Sequence, residues 1–325
     1  MILPKLATSP SVVILILIAL FSAVSVARAM VRERAVERAN PPLGRFVMVD
    51  DHPVHLWEAG DPNAPSVVLI HGASGSVRDF TGDLGPQLAS RYHVVALDRP
   101  GFGYTPALAD MDDNRSLSRQ AALLRGALAQ IGVTRPVLLG QSYGGSVVLR
   151  WAEDAPDSIR ALVPVSAPSH LWPDPPSLFY RALATPVVGP ILATLITAWV
   201  PRSYIAAQVE SVFAPQTAPS GYGDYFHPFM SARRETLLVN ARQRIALRDE
   251  VSALLAGYPN MALPVEAVHG EADPIVPFDI HAVPLARDVP DLHLTALPGI
   301  GHMPHHVAIP AVIAAVDRAA GATLP

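Results

Sequence analysis

Short apolar segments alternate with segments of helical period along most of this chain, from about residue 45 onwards. Residues 67–70 are apolar throughout, which is typical of a strand buried on both faces of a sheet. Residues 117–131 repeat apolar side chains at helical spacing, which predicts an amphipathic helix. A closing helix is predicted over 307–320, and strands are predicted over 46–49, 54–57, 67–70, 93–97, 137–139, 161–165, 265–269 and 292–297. The alternation predicts an α/β fold with a mainly parallel sheet and helices on both faces.

One interval, residues 170–262, breaks this alternation because it contains no clear strand pattern. It is rich in proline and aromatic residues, and its patterns over 187–199 and 230–256 are helical. The apolar run Val187–Val200 is too short to span a bilayer, so we expect a buried or interfacial helix there. We predict four parts: a hydrophobic anchor or signal segment at 1–29, a linker at 30–44, the α/β core at 45–169 and 263–325, and a helical lid at 170–262.

The N-terminal segment, residues 6–27, carries no charged side chain and lies between Lys5 and Arg28. Its length suits a helix that crosses a bilayer, which needs about 20 residues. It also suits a secretory signal peptide, with Ala27-Arg28-Ala29 resembling a cleavage site. Arginines at positions 28, 32, 34 and 38 would hinder export of the residues that follow. We therefore favour a single membrane anchor, with a secreted or periplasmic protein after cleavage as the alternative.

Composition excludes several classes of function. The net charge is −4 and no basic stripe is interleaved with aromatic residues, so a nucleic-acid partner is not expected. The absence of cysteine excludes disulfides, thiolate metal sites and cysteine nucleophiles. The 12 histidines contain no His-x-x-x-His pair on a predicted helix, which leaves metal binding a weak alternative. We therefore predict no metal and no cofactor.

The pentapeptide Gly140-Gln141-Ser142-Tyr143-Gly144 lies between the apolar residues 137–139 and a helical segment that begins at Gly145. A serine in such a strand-turn-helix setting is held in a strained turn and exposed at the end of the sheet. The following helix N-terminus presents N–H groups and partial positive charge, which suit a developing oxyanion. This pattern makes Ser142 a candidate nucleophile.

A serine nucleophile also needs a base and an orienting acid, and both have candidates at strand ends. Asp273 follows the strand predicted at 265–269, and His302 follows the strand predicted at 292–297. Glu271 is a less favoured acid, while the competing bases His305 and His306 are expected to face outward from the last helix. We predict that Ser142, Asp273 and His302 form a catalytic triad.

The oxyanion hole of such an enzyme requires two backbone N–H groups. One is expected from Tyr143, which directly follows the nucleophile. The other is expected from Ala73 in the loop His71-Gly72-Ala73-Ser74-Gly75, where neighbouring glycines leave room for a substrate oxygen. His71 is expected to brace this loop rather than to titrate in catalysis.

Four motifs together resemble the α/β-hydrolase superfamily in its capped, epoxide-hydrolase-like branch. They are residues 71–75, 98–105 and 140–144 and the pair formed by Asp273 and His302. The resemblance spans about 45–320 and implies an eight-stranded, mainly parallel sheet with an inserted helical lid. Epoxide hydrolases and haloalkane dehalogenases of this branch carry aspartate at the nucleophile position. Ser142 favours ester, thioester or lactone substrates instead, because acyl transfer proceeds through a serine ester.

The resulting hypothesis is a serine hydrolase that cleaves a small acyl substrate with a hydrophobic portion. Hydrolysis of a C–C bond and cofactor-free perhydrolysis remain open on the same motifs, as does a non-catalytic binding protein. Arg233 and Arg234 could bind a substrate carboxylate, although adjacent arginines on a helix are more often solvated. The aromatic residues of the predicted lid are available for the pocket or for the lid's own core: Trp172, Phe179, Tyr180, Trp199, Tyr222, Tyr225 and Phe226.

Overall fold

The computed structural model describes residues 9–110 and 112–321; residues 1–8, which include Lys5, and 322–325 at the end of the predicted core lie outside the described residues. An eight-stranded sheet has the order β1-β2-β4-β3-β5-β6-β7-β8. Its strands are β1 (Arg45–Val49), β2 (His52–Ala59), β3 (Ser66–Ile70), β4 (His93–Leu97), β5 (Val137–Gln141), β6 (Ala161–Val165), β7 (Val265–Gly270) and β8 (Leu292–Leu297). The pairs β1–β2 and β2–β4 are antiparallel and the others are parallel. The predicted α/β fold is confirmed.

The central strands are apolar throughout because both faces of the sheet are covered. In β3, Val68 and Ile70 pack into one hydrophobic cluster, while Val67 and Leu69 pack into another on the opposite face. This alternation follows from the two-residue period of a strand. The core of the protein therefore lies in two layers, one on each side of the sheet.

Thirteen helices surround the sheet within the described residues. They are α1 (Pro10–Ala39), α2 (Arg78–Thr81), α3 (Leu84–Leu88), α4 (Leu117–Gln130), α5 (Tyr143–Asp154), α6 (Leu178–Leu183), α7 (Val188–Trp199), α8 (Arg202–Ser211), α9 (Tyr222–Phe226), α10 (Arg234–Leu254), α11 (Phe278–Asp288), α12 (Pro304–Val307) and α13 (Ile309–Ala319). The single closing helix predicted over 307–320 is two helices, separated at Ala308. Pro310 lacks the N–H that would continue the helical hydrogen bonds across this position.

The residues between β6 and β7, all of them described, form helices α6 to α10 and short 3₁₀ turns without a strand. The helix predicted at 230–256 begins at Arg234, because residues Pro228–Ala232 form a 3₁₀ turn. Helix α7 buries Gly189, Ala193 and Thr197 along one side. These helices pack onto one another, onto α2 and α5, and onto the 3₁₀ turn that precedes α4.

Helix α1 is a continuous helix of 30 residues, about 45 Å long at 1.5 Å per residue. An 18-residue window within it has a mean hydropathy of 2.5, and only 6% of that window is buried. The helix is thus long and apolar enough to cross a membrane, although a signal sequence passes the same test. Residues 30–39, which were expected to link the anchor to the core, continue this helix.

The second half of α1 is bonded to the helices between β6 and β7. Glu33 forms an ion pair with Arg234 at 2.6 Å, and Glu37 forms one with Arg233 at 3.1 Å. Both arginines are therefore occupied by carboxylates of the chain itself, which explains why they are only partly exposed.

Candidate active site

Ser142 occupies a strained turn between β5 and α5, with φ of 50° and ψ of −122°. A side chain at Gly144 would place its Cβ 2.2 Å from the carbonyl oxygen of Ile70, and one at Gly140 would lie 2.3 Å from the carbonyl oxygen of Gly144. Only glycine fits at these two positions, because the obstructing atoms belong to the backbone. The tight crossing of strand and helix thus holds Ser142 in a conformation that is rare outside glycine.

The structure brings Ser142, His302 and Asp273 together from three loops that follow β5, β8 and β7. His302 Nε2 lies 2.9 Å from Ser142 Oγ, and its Nδ1 lies 2.7 Å from Asp273 Oδ2. The N–H groups of Ile275 and Val276 donate to Asp273 Oδ1 at 2.8 and 2.9 Å. A carboxylate fixed in this way orients the imidazole so that Nε2 is free to accept the serine proton.

Asp273 is held as a carboxylate. Burial by itself raises the pKa of this side chain, but hydrogen bonding to His269, His302 and the Val276 N–H outweighs it and holds the pKa well below its usual range. His269 also contacts the carbonyl oxygen of Val276 at 2.8 Å, which orients it beside the carboxylate. Sequence reasoning did not single out His269, although it lies at the end of the same strand. Glu271, the less favoured acid, is exposed, and His302 contacts Asp273 instead.

The two predicted oxyanion donors lie beside the nucleophile. Ala73 and Tyr143 line the same cavity as Ser142. Within the described residues, neither backbone N–H has a hydrogen-bond partner. A Cβ built on Gly72 would lie 3.0 Å from the Cβ of Ser142, so the loop passes directly against the serine. Two unpaired donors at this place suit an oxygen that becomes negatively charged during reaction.

His71 braces this loop, as the sequence suggested. Its Nδ1 donates to the carbonyl oxygen of Gly72 at 2.8 Å, and its Nε2 accepts from the N–H of Arg99 at 3.0 Å. Burial, assisted by the neighbouring Arg99 charge, lowers the pKa of His71 to about 4. The ring is therefore neutral near pH 7, with one nitrogen donating and the other accepting.

Arg99 also holds this loop in place, through hydrogen bonds to its carbonyl oxygens. The sequence alone assigned no role to Arg99. Its fully buried guanidinium donates to the carbonyl oxygens of His71 and Gly72 at 3.0 and 2.9 Å. It also donates to the amide oxygens of Gln120 and Gln243 at 2.9 and 2.7 Å. The sequence signal for Arg99 was its place in the segment 98–105, which the resemblance to α/β hydrolases put near the active site. One cation thus connects the predicted oxyanion loop to α4 and α10.

His305 and His306 do not face outward, so this prediction was wrong. Both are buried, because α12 turns inward against α2. Their Nε2 atoms lie 3.3 and 3.0 Å from the carboxylate of Asp79, which also accepts a hydrogen bond from Tyr222 at 2.9 Å. Burial by itself would raise the pKa of Asp79, but the two imidazoles hold it well below its usual range.

Among the described residues, Asp79, His305 and His306 form a group whose ligand atoms lie within 4.8 Å of one another and could hold a metal ion. The carboxylate is already satisfied by three hydrogen-bond partners. These contacts account for the cluster without an ion, as a junction between α2, α9 and α12.

A cavity of about 250 Å³ opens onto Ser142. Trp172, in the loop before α6, lines the cavity together with Tyr180 of α6, Leu247 of α10 and Val276. The other aromatic residues expected for the pocket lie elsewhere: Tyr222, Tyr225 and Phe226 pack with Phe213, Trp199 packs on α1, and Phe179 is exposed. A larger cleft of about 640 Å³ lies between α1, α7 and α10, and none of Ser142, Asp273 and His302 lines it.

A family model described as the alpha/beta hydrolase fold matches residues 65–308. This range is more than half of the chain, so the chain belongs to the α/β hydrolase family. The protein is accordingly a hydrolase. This agrees with its fold and with the position of Ser142, Asp273 and His302 in the loops after β5, β7 and β8.

Individual relatives are more distant. The chain is 26% identical over 260 residues to the magnesium-chelatase 30 kDa subunit of Rhodobacter capsulatus, covering 79% of this chain and 87% of that protein. It is 29% identical over 118 residues to the 2-hydroxy-6-oxo-6-phenylhexa-2,4-dienoate hydrolase of Comamonas testosteroni, covering 35% of this chain and 40% of that protein. The solved structure of the enzyme of the same name from Rhodococcus sp. strain RHA1 superposes with a TM-score of 0.69 at 20% identity, covering 85% of this chain and 98% of that one.

Proposed function

We propose that the protein is a serine hydrolase that cleaves a carboxylic ester, or a related acyl compound, with a hydrophobic portion. The observation that carries the proposal is the hydrogen-bonded series from Ser142 Oγ through His302 to the Asp273 carboxylate. Beside Ser142 lie the N–H groups of Ala73 and Tyr143, which have no hydrogen-bond partner among the described residues, and this is the arrangement that nucleophilic acyl transfer requires.

In the first half-reaction, His302 Nε2 takes the proton of Ser142 as Oγ forms a bond to the substrate carbonyl carbon. The carbonyl π electrons move onto oxygen, and the N–H groups of Ala73 and Tyr143 donate to that oxyanion. The oxyanion then collapses and breaks the bond to the leaving oxygen, which takes the proton from His302. An alcohol departs and the acyl group stays on Ser142. The Asp273 carboxylate stabilises the imidazolium that forms between the two proton transfers.

In the second half-reaction, His302 takes a proton from water as the water oxygen attacks the acyl carbon. The tetrahedral intermediate breaks its bond to Oγ, and the proton on Nε2 returns to Ser142. One ester and one water thus become one acid and one alcohol, and the enzyme is restored. No electron donor or acceptor is needed.

The cavity walls support a hydrophobic substrate portion. Trp172, Tyr180 and Leu247 come from the segment between β6 and β7, whose residues 170–262 we propose to form a lid. Small-molecule sites are mostly apolar with a few polar groups that fix orientation. The polar groups at this cavity are Ser142 with its two neighbouring N–H groups and, on the segment between β6 and β7, the side chains of Asp174, Ser177, Arg244 and Arg248.

The test is Ser142→Ala, assayed with p-nitrophenyl butyrate and with a fluorophosphonate probe. We expect turnover to fall by about 10⁴ to 10⁶ and the probe adduct to vanish. Ser90→Ala, which alters an exposed serine after α3, is the matched control and should behave as the unaltered chain. Turnover retained by Ser142→Ala would refute the mechanism. An unaltered chain that forms no adduct would favour a non-catalytic binding protein.

A second candidate is hydrolysis of a C–C bond. The Comamonas relative is named for a 6-oxo-dienoate, which contains no ester, so its hydrolysis breaks a bond from the ketone carbon to carbon. Arg244 and Arg248 line the cavity and could bind the carboxylate of such a substrate. Parallel assays with p-nitrophenyl butyrate and with 2-hydroxy-6-oxo-6-phenylhexa-2,4-dienoate separate the two candidates, since the preferred substrate has the higher kcat/KM.

We also propose that α1 anchors the protein in a membrane as a single span. Its hydropathy and its exposed first half support this, and Arg28 and Arg32, directly after the apolar half, favour retention of the segment. Intact mass and membrane fractionation of the expressed chain test the proposal. A soluble product that begins at Met30 would show cleavage of a signal peptide instead.

A further inference from the structure

Helices α6 and α7, with the residue that precedes α7, carry apolar side chains that the other described residues leave largely exposed. The open face of α6 and α7 comprises six side chains, each between 42% and 77% exposed: Leu178, Phe179, Val187, Val188, Ile191 and Trp199. Contiguous apolar surface of this kind usually marks an interaction site.

The exposed apolar side chains of α7 recur at helical spacing. Val188, Ile191, Leu195 and Trp199 recur three or four positions apart, so they share one side of the helix. Another side buries residues such as Ala193 against α10 and its neighbours. A helix that is apolar on both sides is expected to be covered on both, in a protein core or by lipid.

The open face is continuous with the apolar helix α1. Trp199 stacks on Phe21, with ring centroids 5.9 Å apart, and donates from Nε1 to Ser25 Oγ at 3.0 Å. The other end of α7 faces the cleft lined by Glu33 and Glu37. Helix α7 therefore runs antiparallel to α1, with its last turn at the apolar half of that helix.

Cationic side chains mark the boundary between the apolar and charged halves of α1. Arg28 and Arg32 donate to the carbonyl oxygen of Ala198 at 2.7 and 2.9 Å, at the C-terminus of α7. Arg28 also lies over the ring of Trp199, 4.8 Å from its centre. Arginine and tryptophan at one level are characteristic of the headgroup region of a bilayer, where anionic lipids attract the cations.

The open face also reaches the cavity at Ser142. Leu178 and Phe179 are exposed, while their chain neighbours Ser177 and Tyr180 line the cavity. Helix α6 in turn packs on α7. Exposed apolar side chains thus extend from the mouth of the cavity to the membrane-spanning part of α1.

We propose that the open face of α6 and α7 rests on the lipid bilayer that α1 enters, so that the cavity receives an amphiphilic substrate from the lipid. From Phe21 to Glu33 the helix rises about 18 Å. The N-terminal part of α7 therefore stands above the bilayer if α1 is upright. Spanning helices tilt by about 20° on average, with a range of about 0–40°. At the upper end of this range, a tilt towards α7 brings Val187 and Ile191 down towards the headgroups.

Fluorescence quenching tests the contact without requiring turnover. The full chain contains no cysteine, so a single cysteine at Phe179 or Ile191 can carry an NBD fluorophore without background labelling. The labelled protein is reconstituted in phosphatidylcholine and phosphatidylglycerol vesicles with and without doxyl-labelled lipid. Val283→Cys is the matched control, because Val283 is exposed and apolar but lies on α11, which packs on β7 and β8.

We expect the doxyl lipid to quench the labels at positions 179 and 191 at least twofold more than the label at 283. Equal quenching at the three positions would overturn the proposal. The proposal would also be overturned if, in detergent without lipid, the labels at 179 and 191 became shielded from solvent only as the protein concentration is raised. A second copy of the chain would then cover the face.

The supply of substrate from lipid rests on the proposed ester hydrolysis, and a second experiment examines it. Val187→Gln with Ile191→Gln should lower turnover of a long-chain ester held in vesicles at least fivefold. Turnover of soluble p-nitrophenyl butyrate should stay unchanged, as it should for both substrates in Val283→Gln. An equal loss on both substrates would overturn the lipid route. Inactivity of the unaltered chain towards esters would instead refute the proposed function, while the quenching result would stand.

Discussion

Replacement of Arg99 by lysine tests whether the oxyanion loop depends on the cation beneath it. The Arg99 guanidinium is fully buried between the rings of Phe102 and Tyr143, each 4.4 Å from its central carbon. Burial lowers the pKa of Arg99 to about 10, so the side chain is still charged near pH 7. Lysine keeps this charge but has a single nitrogen in place of the planar fork.

The expected loss of stability follows from the four acceptors to which the guanidinium donates. They are the carbonyl oxygens of His71 and Gly72 and the amide oxygens of Gln120 and Gln243. One ammonium group at this depth can reach about two of them, so two hydrogen bonds from a cation to buried acceptors are lost. Because a hydrogen bond to a charged group contributes about 1.5–3 kcal/mol, the loss should be about 3–6 kcal/mol of the free energy of unfolding.

Urea denaturation and ester turnover, measured on the same preparation, give the two readouts. Displacement of the loop that carries Ala73 should also lower kcat about 10²-fold, because the N–H donor moves away from the oxyanion. Arg287→Lys is the control: Arg287 is 72% exposed, and its replacement should leave the urea midpoint unchanged. A variant that loses stability but keeps kcat would refute the support of the oxyanion loop. A variant as stable as the control would refute the whole calculation.

Three further results are expected. Asp273→Asn should lower kcat for p-nitrophenyl butyrate about 10⁴-fold, because the amide no longer stabilises the imidazolium; the same loss in Glu271→Gln would contradict this assignment. His71 is neutral in the fold, with its pKa lowered to about 4 from about 6.5 when unfolded. Its contribution to stability is therefore present above about pH 6.5 and lost as the pH falls towards 4, and a urea midpoint constant over this range would contradict that. Tyr222→Phe should cost about 1.5–3 kcal/mol in urea denaturation, because the buried carboxylate of Asp79 loses a donor; an unchanged midpoint would show that this contact contributes nothing.

The strands and the meeting of Ser142, Asp273 and His302 could be predicted from local patterns. Each of these residues follows an apolar strand, and the carboxyl ends of parallel strands lie at one edge of a sheet. Their roles stay predictions, whereas the fold is confirmed. The position of a residue could thus be predicted from the sequence where that residue directly follows a predicted strand.

Long-range contacts were beyond this reasoning. His305 and His306 looked solvated because they begin a helix, but Asp79, more than two hundred residues earlier, draws them into the core. The partners of Arg234 and Arg99 are also distant in the chain: Glu33 for one, and Gln243 of α10 for the other. Hydrogen-bond partners so far apart leave no periodic signal in the sequence.

The continuity of α1 determines which part of the protein can move when the cavity opens. A helix without a break from Pro10 to Ala39 behaves as a stiff rod, and Arg28, Arg32 and Glu33 attach it to the helices between β6 and β7. Those helices therefore keep a fixed orientation to the rod and to the membrane in which we propose that it is anchored. Widening of the cavity then requires the sheet, with Ser142 at its edge, to swing away from a stationary cover.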